Sequence, residues 1–72
     1  MNSEVRVWRL RKHHTWLDAR LNACPDSTDV ELRFFYDGTL VHARRWPSRQ
    51  AAVDQAQRQL GELQRAGWNT HW

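Results

Sequence analysis

Residues 29–46, DVELRFFYDGTLVHARRW, decide the fold because they contain two strand-like runs joined by the dipeptide Asp37-Gly38. Both central positions of a type I′ turn need a positive φ, which Asp and Gly tolerate better than most residues. The runs on either side are rich in β-branched and aromatic residues, as strands are. The stretch therefore predicts a tight antiparallel hairpin.

The same turn predicts which side chains share a face of this hairpin, because a two-residue turn fixes the register. The pairs expected to lie opposite one another are Tyr36 and Thr39, Phe34 and Val41, Leu32 and Ala43. The face expected to enter the core carries Val30, Leu32, Phe34, Val41 and Ala43. The other face is expected to carry Phe35 beside Leu40, Arg33 beside His42, and Glu31 beside Arg44. Opposite charges facing each other across strands favour this register.

The first part of the chain predicts a second hairpin. Apolar residues alternate with polar ones on both sides of His13-His14, which is typical of half-buried strands. Closing the chain there places Leu10 opposite Leu17 and Arg9 opposite Asp18. A two-residue and a four-residue loop give the same pairing, and we expect the longer loop because His-His is poor turn chemistry.

The last part of the chain has a helical period. Ser48 is a good N-cap, and Gly67 is placed to end the helix in the left-handed conformation. The apolar stripe expected to face the sheet consists of Ala52, Val53, Ala56, Leu60 and Leu63. The opposite face balances its own charge with Asp54, Arg58, Glu62 and Arg65, so it does not have the character of a recognition helix.

The expected fold class is α+β: a four-stranded antiparallel sheet, formed by two hairpins in a meander, with one C-terminal helix packed on one face. We expect strands near 4–11, 15–23, 29–36 and 39–46 and a helix near 48–66, in a single domain spanning residues 1–72. A chain of 72 residues buries too little core for more than one domain.

Composition limits the location of the protein. No apolar stretch is long enough to span a membrane, and residues 1–6 lack the basic region and apolar run of a signal peptide. Cys24 is the only cysteine, which excludes an internal disulfide and favours a reducing compartment. We therefore expect a cytoplasmic protein.

One face of the predicted sheet has no helix to cover it, and it collects arginines and aromatic rings. The residues predicted to bind a partner there are Arg9, Arg11, Trp16, Arg20, Arg33, Phe35, Leu40, His42, Arg44 and Trp46, together with the neighbouring Val7, Asp18 and Glu31. The formal net charge is +3, and every basic residue except Lys12 is arginine.

Three interpretations of this uncovered face stay open. Its apolar side chains favour association with protein, either as a homodimer or as an adaptor. Arginines among aromatic rings on a sheet are also the chemistry that binds a single-stranded nucleic acid or a duplex groove. Alternatively, arginines paired across strands with acids form an ordinary solvated surface.

Catalytic, metal and cofactor sites are not expected. The candidate metal ligands, His13, His14, His42, His71 and Cys24, match no structural zinc spacing. Cys24 precedes Pro25 in a loop without an adjacent base, and the isolated glycines form no phosphate-binding loop. We therefore expect neither an enzyme nor a small-molecule substrate.

The corner Trp46-Pro47-Ser48, which leads into residues 49–56, resembles the strand-to-helix corner of many small bacterial proteins of unassigned function. The second hairpin and the helix together are similar in layout to integrase-type DNA-binding domains. That resemblance implies a short antiparallel sheet placed in the major groove and supported by one helix. It covers the second hairpin and the helix only, and it gives no correspondence of base-contacting residues.

Overall fold

The computed structural model describes residues 4–70, and the protein is an α+β fold. Two hairpins form the main sheet, and a helix packs on one of its faces. The elements are β1 (Val5–Lys12), β2 (Thr15–Ala23), β3 (Val30–Tyr36), β4 (Thr39–Trp46), α1 (Arg49–Arg65) and a short β5 (Asn69–Thr70). The strand order β4-β3-β2-β1-β5 confirms the predicted meander.

The core lies between the sheet and α1. Alternate residues of β1, β2 and β3 meet the small side chains of Ala52 and Ala56, which allow the helix to lie close to the strands. The fully or almost fully buried members are Trp8, Leu10, Ala19, Leu21, Leu32, Ala52 and Ala56. Val53, Leu60 and Leu63 pack around them, which confirms the predicted apolar stripe.

Both ends of α1 are closed by local hydrogen bonds. The Ser48 hydroxyl accepts from the backbone N–H of Ala51 at 3.1 Å, as expected of an N-cap. At the other end, Gly67 has a φ of 102°, and the Trp68 N–H donates to the Leu63 carbonyl at 3.0 Å. This closure turns the chain back toward the sheet.

The two hairpin turns are equally short. Asp37 and Gly38 have φ values of 50° and 84°, which confirms the type I′ turn. The longer loop expected around His13 is wrong, because Lys12 pairs directly with Thr15. His13 takes a φ of 58°, and the Thr15 hydroxyl donates to the Lys12 carbonyl at 2.6 Å, so the turn closes despite its poor sequence.

A β-bulge at Val41 overturns the predicted register of β4. Tyr36 still faces Thr39 and Phe35 faces Leu40, but Phe34 pairs with His42 rather than Val41. Beyond that point the observed pairs are Leu32 with Arg44, Arg33 with Ala43, Glu31 with Arg45, and Val30 with Trp46. One extra residue exchanges the faces of all that follow it. His42, Arg44 and Trp46 consequently lie on the helix side, while Val41 and Ala43 are exposed instead of entering the core.

A second irregularity lies in β1, between Arg6 and Trp8. Leu10 still faces Leu17 and Arg9 still faces Asp18, as predicted, but Val7 packs against the core instead of lying on the uncovered face. Arg6 pairs with Arg20 across the strands, so the bulge brings an additional arginine to that face.

The strand β5 was not predicted. Asn69 and Thr70 pair antiparallel with Arg11 and Leu10 of β1, so part of the outer edge of β1 is covered. His71, considered above as a metal ligand, lies outside the described residues, as does Trp72. Within residues 4–70, no helix is long and apolar enough to cross a membrane.

Candidate functional site

The sheet face opposite α1 is here called the open face. Its members, placed by the strand pairing, are Arg6, Arg9, Arg11, Trp16, Asp18, Arg20, Asn22, Glu31, Arg33, Phe35, Leu40, Ala43 and Arg45. Seven of the ten predicted binding residues lie on it, whereas His42, Arg44 and Trp46 were wrongly placed there because the bulge at Val41 turns them to the helix side. The structure therefore brings together most, but not all, of the predicted surface.

Asp18 lies at the centre of the open face and is only 5% exposed. Its Oδ2 accepts a hydrogen bond from Arg20 Nη2 at 3.0 Å, and its Oδ1 lies 3.2 Å from Arg9 Nε. The second of these contacts is an ion pair without hydrogen-bond alignment, and both atoms are buried. Arg6 lies 3.9 Å away, so a single carboxylate is surrounded by three guanidinium groups.

Two of those guanidinium groups, those of Arg9 and Arg20, lie over aromatic rings. Arg9 lies 4.2 Å from the ring centroid of Trp16, and Arg11 lies 5.2 Å from the same ring. Arg20 lies 4.4 Å from the ring centroid of Phe35. Since Arg9 and Arg20 also contact Asp18, the carboxylate fixes them on the rings.

A second acidic residue extends this network. The Glu4 carboxylate lies 3.1 Å from Arg20 and 3.8 Å from Arg33, and Arg33 also pairs with Glu31. The hydrogen bond to Asp18 raises the pKa of Arg20 above its ordinary value, against the opposing effect of burial, and Glu4 adds to the increase. Arg20 therefore remains a cation with a fixed orientation.

The network surrounds a shallow depression of about 300 Å³. Its lining residues are Arg9, Trp16, Asp18, Arg20, Phe35, Asp37 and Gly38. Asp37 contributes to the site as well as to the turn, because its Oδ1 accepts from the backbone N–H of Trp16 at 2.8 Å. The Asp37-Gly38 turn is thus fixed against β2, the strand that carries Trp16.

Sequence reasoning missed Arg6, Asn22, Ala43 and Arg45 among the members of this face, and Glu4 and Asp37 among the residues that contact it. Arg6 and Arg45 reach it only because of the two bulges, and Asp37 was interpreted as a turn residue alone. The signal for the second bulge is present in the sequence. Leu40 and Val41 are adjacent apolar residues in a strand that should alternate, and Arg44 and Arg45 are adjacent charged ones.

The charge of the open face is largely compensated. Its six arginines contact carboxylates or rings, and four carboxylates, those of Glu4, Asp18, Asp26 and Glu31, lie within 4 Å of arginine nitrogens. Leu40 adds an apolar side chain that is 49% exposed, next to the half-buried Phe35. The face is therefore mixed in charge and partly apolar.

The candidate metal ligands do not come together. Among the described residues, no group of three or more His, Cys, Asp or Glu side chains could hold a metal ion. Cys24 is buried at the loop after β2, beside a depression of about 250 Å³ whose lining includes Glu31, Arg33 and Arg45. None of these neighbours is a base suited to activating a thiol by proton abstraction at neutral pH.

Comparison with protein-family models, with curated proteins and with solved structures finds no match, so the interpretation of the open face rests on its own geometry.

Proposed function

We propose that this chain is a small non-enzymatic binding module that associates with protein through its open face, and that the partner is a second copy of the same chain. The observation that carries the proposal is the set of arginine–aromatic stacks fixed around the buried Asp18.

Such stacks favour a protein interface for two physical reasons. Arginine and tryptophan are enriched at the centres of interfaces, where each supplies a large contact area. Arginines already fixed by a carboxylate lose less conformational entropy when a partner orders them. Arg9 and Arg20 are stacked on Trp16 and Phe35, so their side chains have little conformational entropy left to lose on binding.

The mixed charge of the face supports self-association in particular. Two copies related by a two-fold axis can place the arginines of one against the carboxylates of the other. The exposed Leu40 supplies an apolar contact beside Phe35. Burying this face would add core to a domain that has little of its own.

Light scattering after size-exclusion chromatography tests the proposal over a series of protein concentrations. We expect a dimer at high micromolar concentration, and we expect Leu40→Glu to weaken it by about tenfold or more, since a buried charge opposes association. Val5→Glu is the matched control, because Val5 is 44% exposed and pairs with Leu21, on the helix side of the sheet. A monomer at every concentration, or equal weakening by both variants, contradicts the proposal.

A second candidate function is nucleic-acid binding through the same face. The observation that favours it is Arg11, which lies over Trp16 and has no carboxylate within ion-pair distance in residues 4–70. Binding of this kind weakens with salt, with a log–log slope of about one per phosphate neutralised. Trp16→Ala should then reduce the affinity for single-stranded DNA while Arg58→Ala on the outer face of α1 does not, and equal losses would indicate charge attraction alone.

The cytoplasm is the compartment that we propose for this module. The single thiol, Cys24, is buried and unpaired, and a chain without a disulfide suits a reducing environment. Fractionation of cells that make the tagged protein tests this, and recovery outside the cytoplasmic fraction contradicts it.

A further inference from the structure

A second depression lies on the helix side of the sheet, between β3, β4 and α1, and has a volume of about 280 Å³. Its lining residues are Leu32, Phe34, His42, Arg44, Trp46, Gln55 and Gln59. Three of them, His42, Arg44 and Trp46, reach this side only because of the bulge at Val41. The bulge thus removes polar and aromatic groups from the open face and gathers them beside the helix.

The lining has an apolar part and a set of hydrogen-bond donors. Leu32 and Phe34 supply the apolar part, and the ring of His42 lies 5.9 Å from that of Phe34. Arg44 supplies a guanidinium, and Gln55 and Gln59 supply amides. Among residues 4–70, no carboxylate belongs to this lining, so the only permanent charge that these residues place in it is positive.

Arg44 is available to a ligand. It forms no ion pair with a carboxylate in the part of the chain that the structure describes, in contrast to Arg9, Arg20 and Arg33 on the other face. Its guanidinium lies 4.3 Å from the ring centroid of Trp46, and its side chain is exposed and so can change rotamer. A planar guanidinium matches both oxygens of a carboxylate.

The indole N–H of Trp46 gives the second, independent observation. This nitrogen is buried and has no hydrogen-bond partner within residues 4–70. A buried indole N–H ordinarily finds an acceptor, as that of Trp8 does at the carbonyl of Ala56. An acceptor brought by a ligand would satisfy the nitrogen of Trp46.

We propose that this depression binds a small planar organic anion, namely a carboxylate carried on a single ring. The ring lies against Phe34 and the neighbouring apolar surface. The carboxylate pairs with the guanidinium of Arg44, which moves away from the Trp46 ring and lets one oxygen accept from the indole N–H. The volume is at the lower limit of ligand pockets, which span roughly 300–1,000 Å³, so a nucleotide is too large.

A titration of the ¹⁵N-labelled protein with benzoate, followed by NMR, tests the proposal. The indole signal of Trp46 should move and saturate, with a dissociation constant of about 1 mM, the weak affinity expected of so few ligand atoms. The indole signal of Trp8 should move far less than that of Trp46, because its N–H is fully buried and bonded to the Ala56 carbonyl and cannot bond to the ligand. Benzamide, which has the same shape without the charge, should shift the Trp46 signal far less at equal concentration.

Two variants distinguish binding at this depression from a general attraction of benzoate to positive charge. Arg44→Gln should weaken benzoate binding by about tenfold, because a charged hydrogen-bond partner is lost, while its spectrum confirms that the fold is retained. Arg58→Gln, on the exposed face of α1, should bind benzoate as the parent protein does. A Trp46 signal that does not move, an equal response to benzamide, or equal affinities of the two variants overturns the proposal.

Discussion

Nη2 of Arg20 lies 3.0 Å from Oδ2 of Asp18, and the same guanidinium covers the ring of Phe35 at 4.4 Å. One buried carboxylate therefore positions an aromatic stack on the neighbouring strand. Arg9 repeats the arrangement on the other side of Asp18 with the ring of Trp16. Because the central carboxylate of Asp18 holds both arginines on the rings, the geometry of the open face depends on the same contacts that stabilise it.

The first prediction follows from this central position. Asp18→Asn removes the charge that holds Arg6, Arg9 and Arg20; within residues 4–70 it leaves Arg6 and Arg9 without a carboxylate partner, while Arg20 retains Glu4. We expect the free energy of unfolding in urea to fall by about 1–3 kcal/mol, the usual cost of leaving buried polar groups without partners. Asp54→Asn, at an exposed position of α1, should change it by no more than about 0.5 kcal/mol. Similar losses in both variants would show that Asp18 does not organise the face.

The second prediction concerns the contact between the sheet and the helix. The Trp8 indole N–H donates to the Ala56 carbonyl at 2.8 Å, and both residues are fully buried. Trp8→Phe removes this bond and part of the ring volume, so we expect a loss of about 2 kcal/mol in the free energy of unfolding. Tyr36→Phe, which removes a polar atom from a residue that is 43% exposed, is the control and should have little effect. A loss of equal size in the control would contradict the role of the buried bond.

The third prediction tests the start of α1. Ser48→Ala removes the hydroxyl that accepts from Ala51 N–H, and we expect a loss of about 1 kcal/mol, measured by thermal unfolding with circular dichroism. Ser48→Gly should lower the free energy of unfolding by only a few tenths of a kcal/mol, because glycine suits the N-cap conformation. If Ser48→Ala were as stable as the parent, the cap would contribute nothing to the helix.

The local chemistry of the chain was sufficient to predict much of the fold. The Asp37-Gly38 turn, the Leu10–Leu17 pairing and the helix cap at Ser48 each depend on a few neighbouring residues, and each is confirmed. The strand β5 depends instead on where Gly67 sends the chain in space, which no local pattern in residues 67–70 encodes.

The faces of β4 could not be predicted from alternation alone. A regular strand would have placed Trp46 on the open face. Trp46 instead packs its ring against the core, directly before Pro47 and three residues before α1 begins at Arg49. The bulge at Val41 reconciles the turn, which fixes one end of the strand, with the helix, which fixes the other. Alternation along β4 alone therefore does not predict the bulge, because the bulge depends on what fixes the strand at each of its two ends.

The fourth prediction tests this explanation directly. Deleting Val41 leaves β4 with the residue count of a regular strand, so either the turn must reform or Trp46 must turn away from the core. We expect the deletion to lower the free energy of unfolding by roughly 1.5–3 kcal/mol, the contribution of burying one large side chain, as measured by urea unfolding.

Val41→Thr is the control, since it keeps the residue count and changes only a side chain that is 58% exposed. This substitution should change the free energy of unfolding by at most about 0.5 kcal/mol, as at most surface positions. The cost of the deletion should therefore come from the number of residues between the turn and Trp46, not from the valine side chain. A deletion variant as stable as Val41→Thr, with the indole N–H signal of Trp46 in the ¹⁵N NMR spectrum unchanged, would mean that the bulge is not what keeps Trp46 on the helix side.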